Sequence, residues 1–407
     1  MTPAIYAVAT MDTKGEELAY LAECVRAAGA SVRTVDVGTL EPPSVAADIS
    51  RDEVRGEAAT STTTDRGEAV TAMGMALADF LVREHAAGRV SGVIGIGGTG
   101  GTALITRALR ALPIGLPKVM VSTVASGNTA GYVDCSDITM MPSIVDVAGL
   151  NAISKRILAN AAHAIAGMVL HQNAQTAAEK VTLGMTMFGV TTPCVNQVRE
   201  ALEETGCDAL VFHATGTGGR AMERLVESGM IQGVLDITTT EVPDRLIGGV
   251  FPCGPDRFGA VVENGIPCVL SFGAVDMVNF GARPTVPEKF SDRLLYEHNE
   301  QITLMRTTVE ENREIGRWIA ERLGPARAPL VVMIPEGGVS MLDAPGMPFH
   351  DPQADAALFD AFESALPSES ACKVIRLPYN INDPEFAAAI VEQYLSLDRS
   401  CSTGAAS

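Results

Sequence analysis

Two glycine-rich turns offer the most definite chemistry in this sequence. Gly95-Ile96-Gly97-Gly98-Thr99-Gly100-Gly101-Thr102 and Thr215-Gly216-Thr217-Gly218-Gly219 each follow an apolar run and precede a helical pattern. Glycine at such a junction lets a phosphate or carboxylate approach the backbone, where unpaired N–H groups and the positive end of the helix dipole attract it. Thr99 and Thr102 add hydroxyl donors to the first turn. Both turns fit a dinucleotide-type spacing, Gly95-x-Gly97-x-x-Gly100 and Gly216-x-Gly218-x-x-Ala221, although a tight strand-to-helix turn needs the same glycines. A Walker-type P-loop is excluded, because no GxxxxGK run followed by Ser or Thr occurs.

Other polar groups fall at the ends of apolar runs. Thr10, Asp12, Thr13 and Lys14 place hydroxyls, a carboxylate and an ammonium at a helix start, where Lys14 can neutralise phosphate and Asp12 can hold Mg²⁺ through water or cap the helix. Ser126, Gly127 and Asn128 can donate to anionic oxygens, and Asp134 with Asp137 can share a cation; Asx and Ser turns have the same composition. His213 ends a strand beside the second turn, the position of a general base or of a structural histidine. Asp236 and Glu241 flank a threonine run, and Glu336-Gly337-Gly338 precedes Asp343, His350 and Asp351. No metal-ligand spacing joins these groups. Cys253 and Cys268 read as small buried hydrophobes.

Composition sets the frame for these groups. The formal charge of -19, without a Lys/Arg run longer than a pair, argues against a nucleic-acid surface. An anionic ligand must therefore be held locally, by backbone N–H groups and a few cations. The eight cysteines form no CxxC pair, which points to reduced thiols in a cytoplasmic protein. No apolar run reaches the roughly 18 residues of a membrane span.

The elements alternate. A strand over 4–9, a helix over 16–28 and a strand over 31–37 make a βαβ opening, followed by a polar insertion over 41–66 and a helix over 68–85. Strands over 92–96 and 118–122 and a helix over 144–171 complete a first half. The second half restarts with strands over 182–188, 209–213 and 233–237, the helix after Thr192-Pro193 being well signalled. Strands follow over 267–272 and 330–334, a long helix spans about 291–323, and 398–407 frays. The pattern predicts an α/β protein of two Rossmann-like halves, 1–178 and 179–407, with mostly parallel sheets. The likeness of the two glycine turns is read as an internal repeat, and both turns fall at the carboxyl ends of strands, where such sheets bind ligands.

Ala9 to Glu17, Gly95 to Thr102, Val119 to Met141 and Phe212 to Gly219 together resemble a little-characterised bacterial family that is similar to the N-terminal, ATP-binding domain of the tomato mosaic virus resistance protein. The resemblance runs over nearly the whole chain. It implies two Rossmann-like halves, bound ATP with Mg²⁺, and self-association into homodimers. It also implies ATP contacts at Asp12, Thr13, Lys14, Gly97, Gly98, Thr99, Gly100, Gly101 and Thr102, and at Ser126, Gly127 and Asn128. The residues themselves add Gly216, Gly218 and Gly219 as anion contacts, and Asp12 and Asp134 as metal ligands. Plant-type chains also carry a C-terminal barrel, before which this sequence ends, so what the barrel contributes is expected either to come from a separate barrel-domain protein as partner or to be absent. No catalytic residue comes from the resemblance. Three readings share the glycine turns: an ATP-binding protein; an enzyme using His213, Asp236 or Glu336 on a small carboxylate or phosphorylated metabolite in a cleft between halves; and an NAD-dependent dehydrogenase with Asp236 near the ribose-binding offset.

Overall fold

The computed structural model describes residues 2–56, 65–172 and 180–398, in two compact units, Met1–Thr176 and Ala177–Ser407. The expected boundary at 178/179, the threonine run 60–64 and most of the terminal 398–407 stretch lie outside the described residues.

The first unit runs β1 (Ala4–Ala9), α1 (Met11–Ala27), β2 (Val32–Asp36), α2 (Arg51–Arg55), α3 (Arg66–Ala86), β3 (Val90–Gly97), α4 (Thr99–Arg110), β4 (Lys118–Ser122), α5 (Ala130–Val133), β5 (Thr139–Pro142) and α6 (Ala152–Leu170). Its five strands are parallel, in the order β2-β1-β3-β4-β5. Successive strand residues point to opposite faces, so β1 is apolar throughout. Ile5, Ala7 and Ala9 pack under Leu18 and Leu21 of α1 and Ile165 of α6. Tyr6 and Val8 face Leu77 and Phe80 of α3 and Ile105 of α4.

The second unit contains β6 (Thr182–Met187), α7 (Thr192–Glu204), β7 (Asp208–His213), α8 (Thr217–Glu227), β8 (Gly233–Thr238), α9 (Glu241–Pro243), α10 (Gly259–Asn264) and β9 (Cys268–Gly273). There follow β10 (Met277–Phe280), β11 (Leu295–Asn299), β12 (Ile302–Arg306), α11 (Val309–Leu323), β13 (Leu330–Pro335), α12 (Pro352–Ala365), β14 (Cys372–Leu377) and α13 (Pro384–Leu397). Six parallel strands take the order β14-β13-β9-β8-β6-β7, and β10-β12-β11 form a small antiparallel sheet. Val195 of α7 and Phe386 of α13 cover one face of the large sheet, and Ile315 of α11 and Phe362 of α12 the other.

The protein is thus α/β with two largely parallel, Rossmann-like sheets. Counted within each unit, both sheets run 2-1-3-4-5, the second adding a sixth strand. That shared order does not match the repeat read from the glycine turns. The first turn follows the third strand of its unit, β3, whereas the second follows the second strand of its unit, the edge strand β7.

Three helix boundaries also differ from the pattern. Within 291–323, residues 295–306 pair as β11 and β12, and the helix starts at Val309 because Thr308 and Glu311 form a capping box. The helix expected from 144 starts at Ala152, where Asn151 and Ser154 form another box. α1 begins at Met11 rather than Glu16 and kinks at Lys14, whose φ is -133°. No helix among the described residues is long and apolar enough to cross a membrane. The seven described cysteines are all free. Cys253 and Cys268 are buried, which raises both thiol pKa values, Cys253 to about 12.

Candidate functional site

The carboxyl ends of β1 and β3 are neighbours, with Val8 opposite Gly95. From β1 the chain leaves to β2 on one side, while β3 lies on the other, so these two ends form the switch point at which doubly wound sheets open a crevice. Both helices that start there lack a side-chain cap: α1 after Thr10 and α4 after Gly98. The other two long helices of the unit are capped, α3 by Asp65 and α6 by Asn151. A helix start leaves N–H groups without internal partners, and an uncapped one directs them at solvent or a ligand.

The α1 turn is fixed from behind. Asp36, buried at the end of β2, accepts from Met11 N at 3.1 Å, Gly38 N at 2.8 Å and Arg51 Nε at 2.8 Å. Asp12 Oδ2 accepts from Leu40 N at 3.2 Å, while its Oδ1 is buried without a hydrogen-bond partner. The Lys14 ammonium donates to the Val147 carbonyl, and buried Glu17 accepts from Gly149 N at 2.6 Å. These contacts hold the loop between β5 and α6 against the start of α1.

The α4 turn owes its shape to Gly97, where a Cβ would lie 2.7 Å from Thr102 N and 2.8 Å from the Gly101 carbonyl carbon. Thr99 and Gly100 are exposed. Thr102 is not available as a donor to a ligand: it is fully buried, with its hydroxyl 2.6 Å from Ser122 Oγ. Thr123 N donates to Gly97 O at 3.3 Å, tying the next strand end to this turn. Beyond it a cavity of about 450 Å³ is lined by Thr123, Ser126 and residues 142–146. Asn128 is exposed and accepts from Ala130 N at 3.1 Å, an Asx turn at the start of α5.

Asp134 lies away from this edge. Its neighbour Asp137 pairs with buried Lys118, the first residue of β4, at 2.7 Å and accepts from Gly115 N at 2.8 Å. The connection carrying both acids therefore sits at the amino ends of the strands, and Asp137 has a cation of its own chain. Among the described residues no group of three His, Cys, Asp or Glu could hold a metal ion. Asp12, with an orphaned buried oxygen, fits the single carboxylate of a Mg²⁺ ion that is otherwise held by phosphate and water.

The second glycine turn is already filled. Gly216 N donates to Glu241 Oε1 at 2.7 Å and Gly219 N to the same oxygen at 3.2 Å. Glu241 is fully buried, and its other oxygen accepts from Arg257 Nε at 3.1 Å. Gly216 has a φ of 80° and Gly219 leaves room for the carboxylate. The turn binds an anion, as the glycine pattern predicts, but the anion is a side chain of the same unit. Arg257 also pairs with Glu223 at 2.7 Å and Asp236 at 2.7 Å.

This network removes the dehydrogenase reading. Asp236 lies inside β8, bound to Arg257 and accepting from the Thr186 hydroxyl at 2.7 Å, and cannot reach a ribose. The other catalytic candidates are not assembled with it. His213 is exposed at the end of the edge strand, its ring 5.4 Å from that of Phe188. Glu336 is an exposed partner of Arg376 at 3.4 Å, within a surface network that includes Asp360 and Glu363. Asp351 caps α12, and buried Asp343 pairs with Arg306 at 3.4 Å.

Fold and site together define a protein of two doubly wound α/β units, the first with two uncapped helix starts at its switch point and the second with a glycine turn, after its edge strand, filled by its own Glu241. The chain belongs to the Uncharacterised protein family (UPF0261): the family's N-terminal domain matches residues 3–174 and its C-terminal domain residues 180–397. A UPF0261 protein of Rhizobium meliloti is 55% identical over 395 residues, covering 96% of this chain and 98% of its own. The ToMV resistance protein Tm-1 of Solanum lycopersicum is 47% identical over 421 residues, covering 97% of this chain. That alignment spans 56% of the tomato protein's length. Among solved structures, UDP-GlcNAc 2-epimerase from Methanocaldococcus jannaschii is similar at 10% identity over 98% of this chain and 94% of its own, with a TM-score of 0.22, too slight a likeness to argue from.

Proposed function

We propose that the first unit binds a nucleotide whose phosphates lie between the Thr10–Lys14 and Gly97–Gly101 turns. The observation that carries this reading is the pair of uncapped helix starts at the β1/β3 switch point, in a unit whose other two long helices are capped. The N–H groups of the α4 start, together with the Lys14 ammonium, which keeps donors beyond its bond to Val147, favour one sign of ligand charge. At the α1 start, by contrast, Met11 N is taken by Asp36 and the Thr13 and Lys14 N–H groups by Thr10 O. ATP is the nucleotide that the family resemblance implies, with Asp12 as the protein's share of a Mg²⁺ site. Binding without turnover is the preferred form, since His213, Asp236 and Glu336 are engaged separately or stand alone. The resemblance also implies self-association into dimers, which light scattering of the purified chain reads directly.

Calorimetric titration with ATP, with and without Mg²⁺, tests the reading. Saturable binding that Mg²⁺ strengthens and that releases no phosphate is the expected result. Phosphate release would make the protein an ATP-using enzyme, and absence of binding would return both turns to architecture.

A further inference from the structure

The cavity beside the Gly97 turn differs in chemistry from the turn itself. No lysine or arginine lines it. Asp146 is exposed there, and its carboxylate makes no hydrogen bond or ion pair among the described residues. A phosphate is disfavoured next to an unneutralised carboxylate, whereas a neutral group carrying hydrogen-bond donors is favoured.

Ile144 is the second observation. It is 73% exposed and held at a φ of 67°, a conformation that β-branched residues rarely adopt. Ser143 imposes it: Val145 N donates to Ser143 O at 2.7 Å and the Ser143 hydroxyl to Val145 O at 2.6 Å. A strained backbone that presents a large apolar side chain to solvent at the wall of a cavity has the character of a binding surface. The cavity adjoins the phosphate turn, because Thr123 lines one and is hydrogen-bonded to Gly97 of the other.

We propose that this cavity takes the nucleoside end of the ligand, with Ile144 packing on a ring and Asp146 accepting from a nucleoside donor. The inference rests on the phosphate reading above and extends it to specificity. The donor is either a ribose hydroxyl, common to all ribonucleotides, or the 6-amino group of adenine.

The test titrates the full chain with ATP, adenosine and inorganic tripolyphosphate, comparing wild type with Asp146→Asn and Ile144→Gly. Asp146→Asn is expected to weaken adenosine and ATP alike, by about tenfold or more for a hydrogen bond to a charged group, and to leave tripolyphosphate unchanged or slightly tighter. Ile144→Gly relieves the positive φ, so it is expected to keep or raise the melting temperature while weakening adenosine. A like loss for 2′-deoxyATP in the wild type identifies the ribose as donor; a loss for ITP identifies the amine. Unchanged adenosine affinity in both folded variants overturns the proposal. Tripolyphosphate binding without adenosine binding overturns it too, while leaving the phosphate reading intact. Adenosine binding without tripolyphosphate binding has the opposite meaning, and failure of both ligands removes both claims.

Discussion

Glu241 and Glu336 both lie just beyond the carboxyl end of a parallel strand, yet their surroundings give them opposite weights. Glu241 is fully buried, neutralised by Arg257 and by two glycine N–H groups. Glu241→Ala leaves Arg257 Nε and the two glycine N–H groups without an acceptor, while Glu223 and Asp236 still neutralise the guanidinium, and each buried donor left unsatisfied costs about 1–3 kcal/mol. Denaturant unfolding should show a loss of that order, partly recovered in formate or acetate, which can refill the turn. Glu336→Ala removes an exposed partner of Arg376, which keeps Asp360 and Glu363, and the same measurement should move by under about 1 kcal/mol. In the first unit, Lys14→Ala should weaken ATP at least tenfold while changing adenosine little. Equal losses for the two ligands in calorimetry would contradict a phosphate role for the ammonium. The first glycine turn was readable as a strand-to-helix junction because residue type and position suffice for it, whereas the bond of Lys14 to the Val147 carbonyl, far along the chain, was not. Glu241 in the glycine turn was not readable, since the partner that fills it is 25 residues from Gly216 and on another strand end.

Helix starts and glycine turns carry the argument at the scale of elements. The first glycine turn was legible as a strand-to-helix junction, and its glycines now separate by cause. A Cβ at Gly97 meets backbone atoms of the turn at 2.7–2.8 Å, whereas one at Gly100 meets nothing within 4 Å. Gly97→Ala must therefore displace the α4 start and should lower both thermal stability and ATP affinity. Gly100→Ala should leave stability unchanged or slightly raised, because alanine favours the helix by roughly 0.8–1.0 kcal/mol over glycine. A Gly97→Ala protein with wild-type melting and binding would show that the turn's tightness is incidental. Hydrophobic periodicity found most helices but misplaced their ends by up to about two turns at α6 and more at α11. The caps decided those ends: Asn151 with Ser154 and Thr308 with Glu311 are short polar signals set in apolar surroundings that extend the periodic pattern past them. The hairpin β11–β12 escaped for a related reason, since Leu295–Asn299 is largely exposed and carries no alternating apolar face.

For the whole molecule, alternation of strands and helices made the α/β class legible, while strand order needed the structure, because sequence does not say on which side of its predecessor a strand is laid. The same order places several acids under the loops at the carboxyl edge of the second sheet. Burial pushes Asp244 up to about 7, with neighbouring Glu241 adding to the shift against hydrogen bonds from Asn279 and Phe251. Burial and then the Asp343 charge raise Asp276 to about 7 and Asp355 to about 8, although Arg306 opposes both. In the unfolded chain these acids titrate near 3.9. Between pH 4 and 8 the folded protein therefore holds protons that the unfolded chain has released, and stability falls as pH rises through that window. The depressed groups act elsewhere: Glu84, held at about 2 chiefly by Arg89, loses its contribution only below the ordinary glutamate range. The melting temperature should thus be higher at pH 5.5 than at pH 8. Asp276→Asn keeps an acceptor for the Ser340 hydroxyl that now bonds Asp276 at 2.8 Å and removes one titrating group, so it should flatten the slope while raising stability at pH 8. A melting temperature that rises steadily from pH 5.5 to 8 in the wild type would mean that these acids are ionised in the folded protein and that Arg306 and the surrounding donors outweigh their burial.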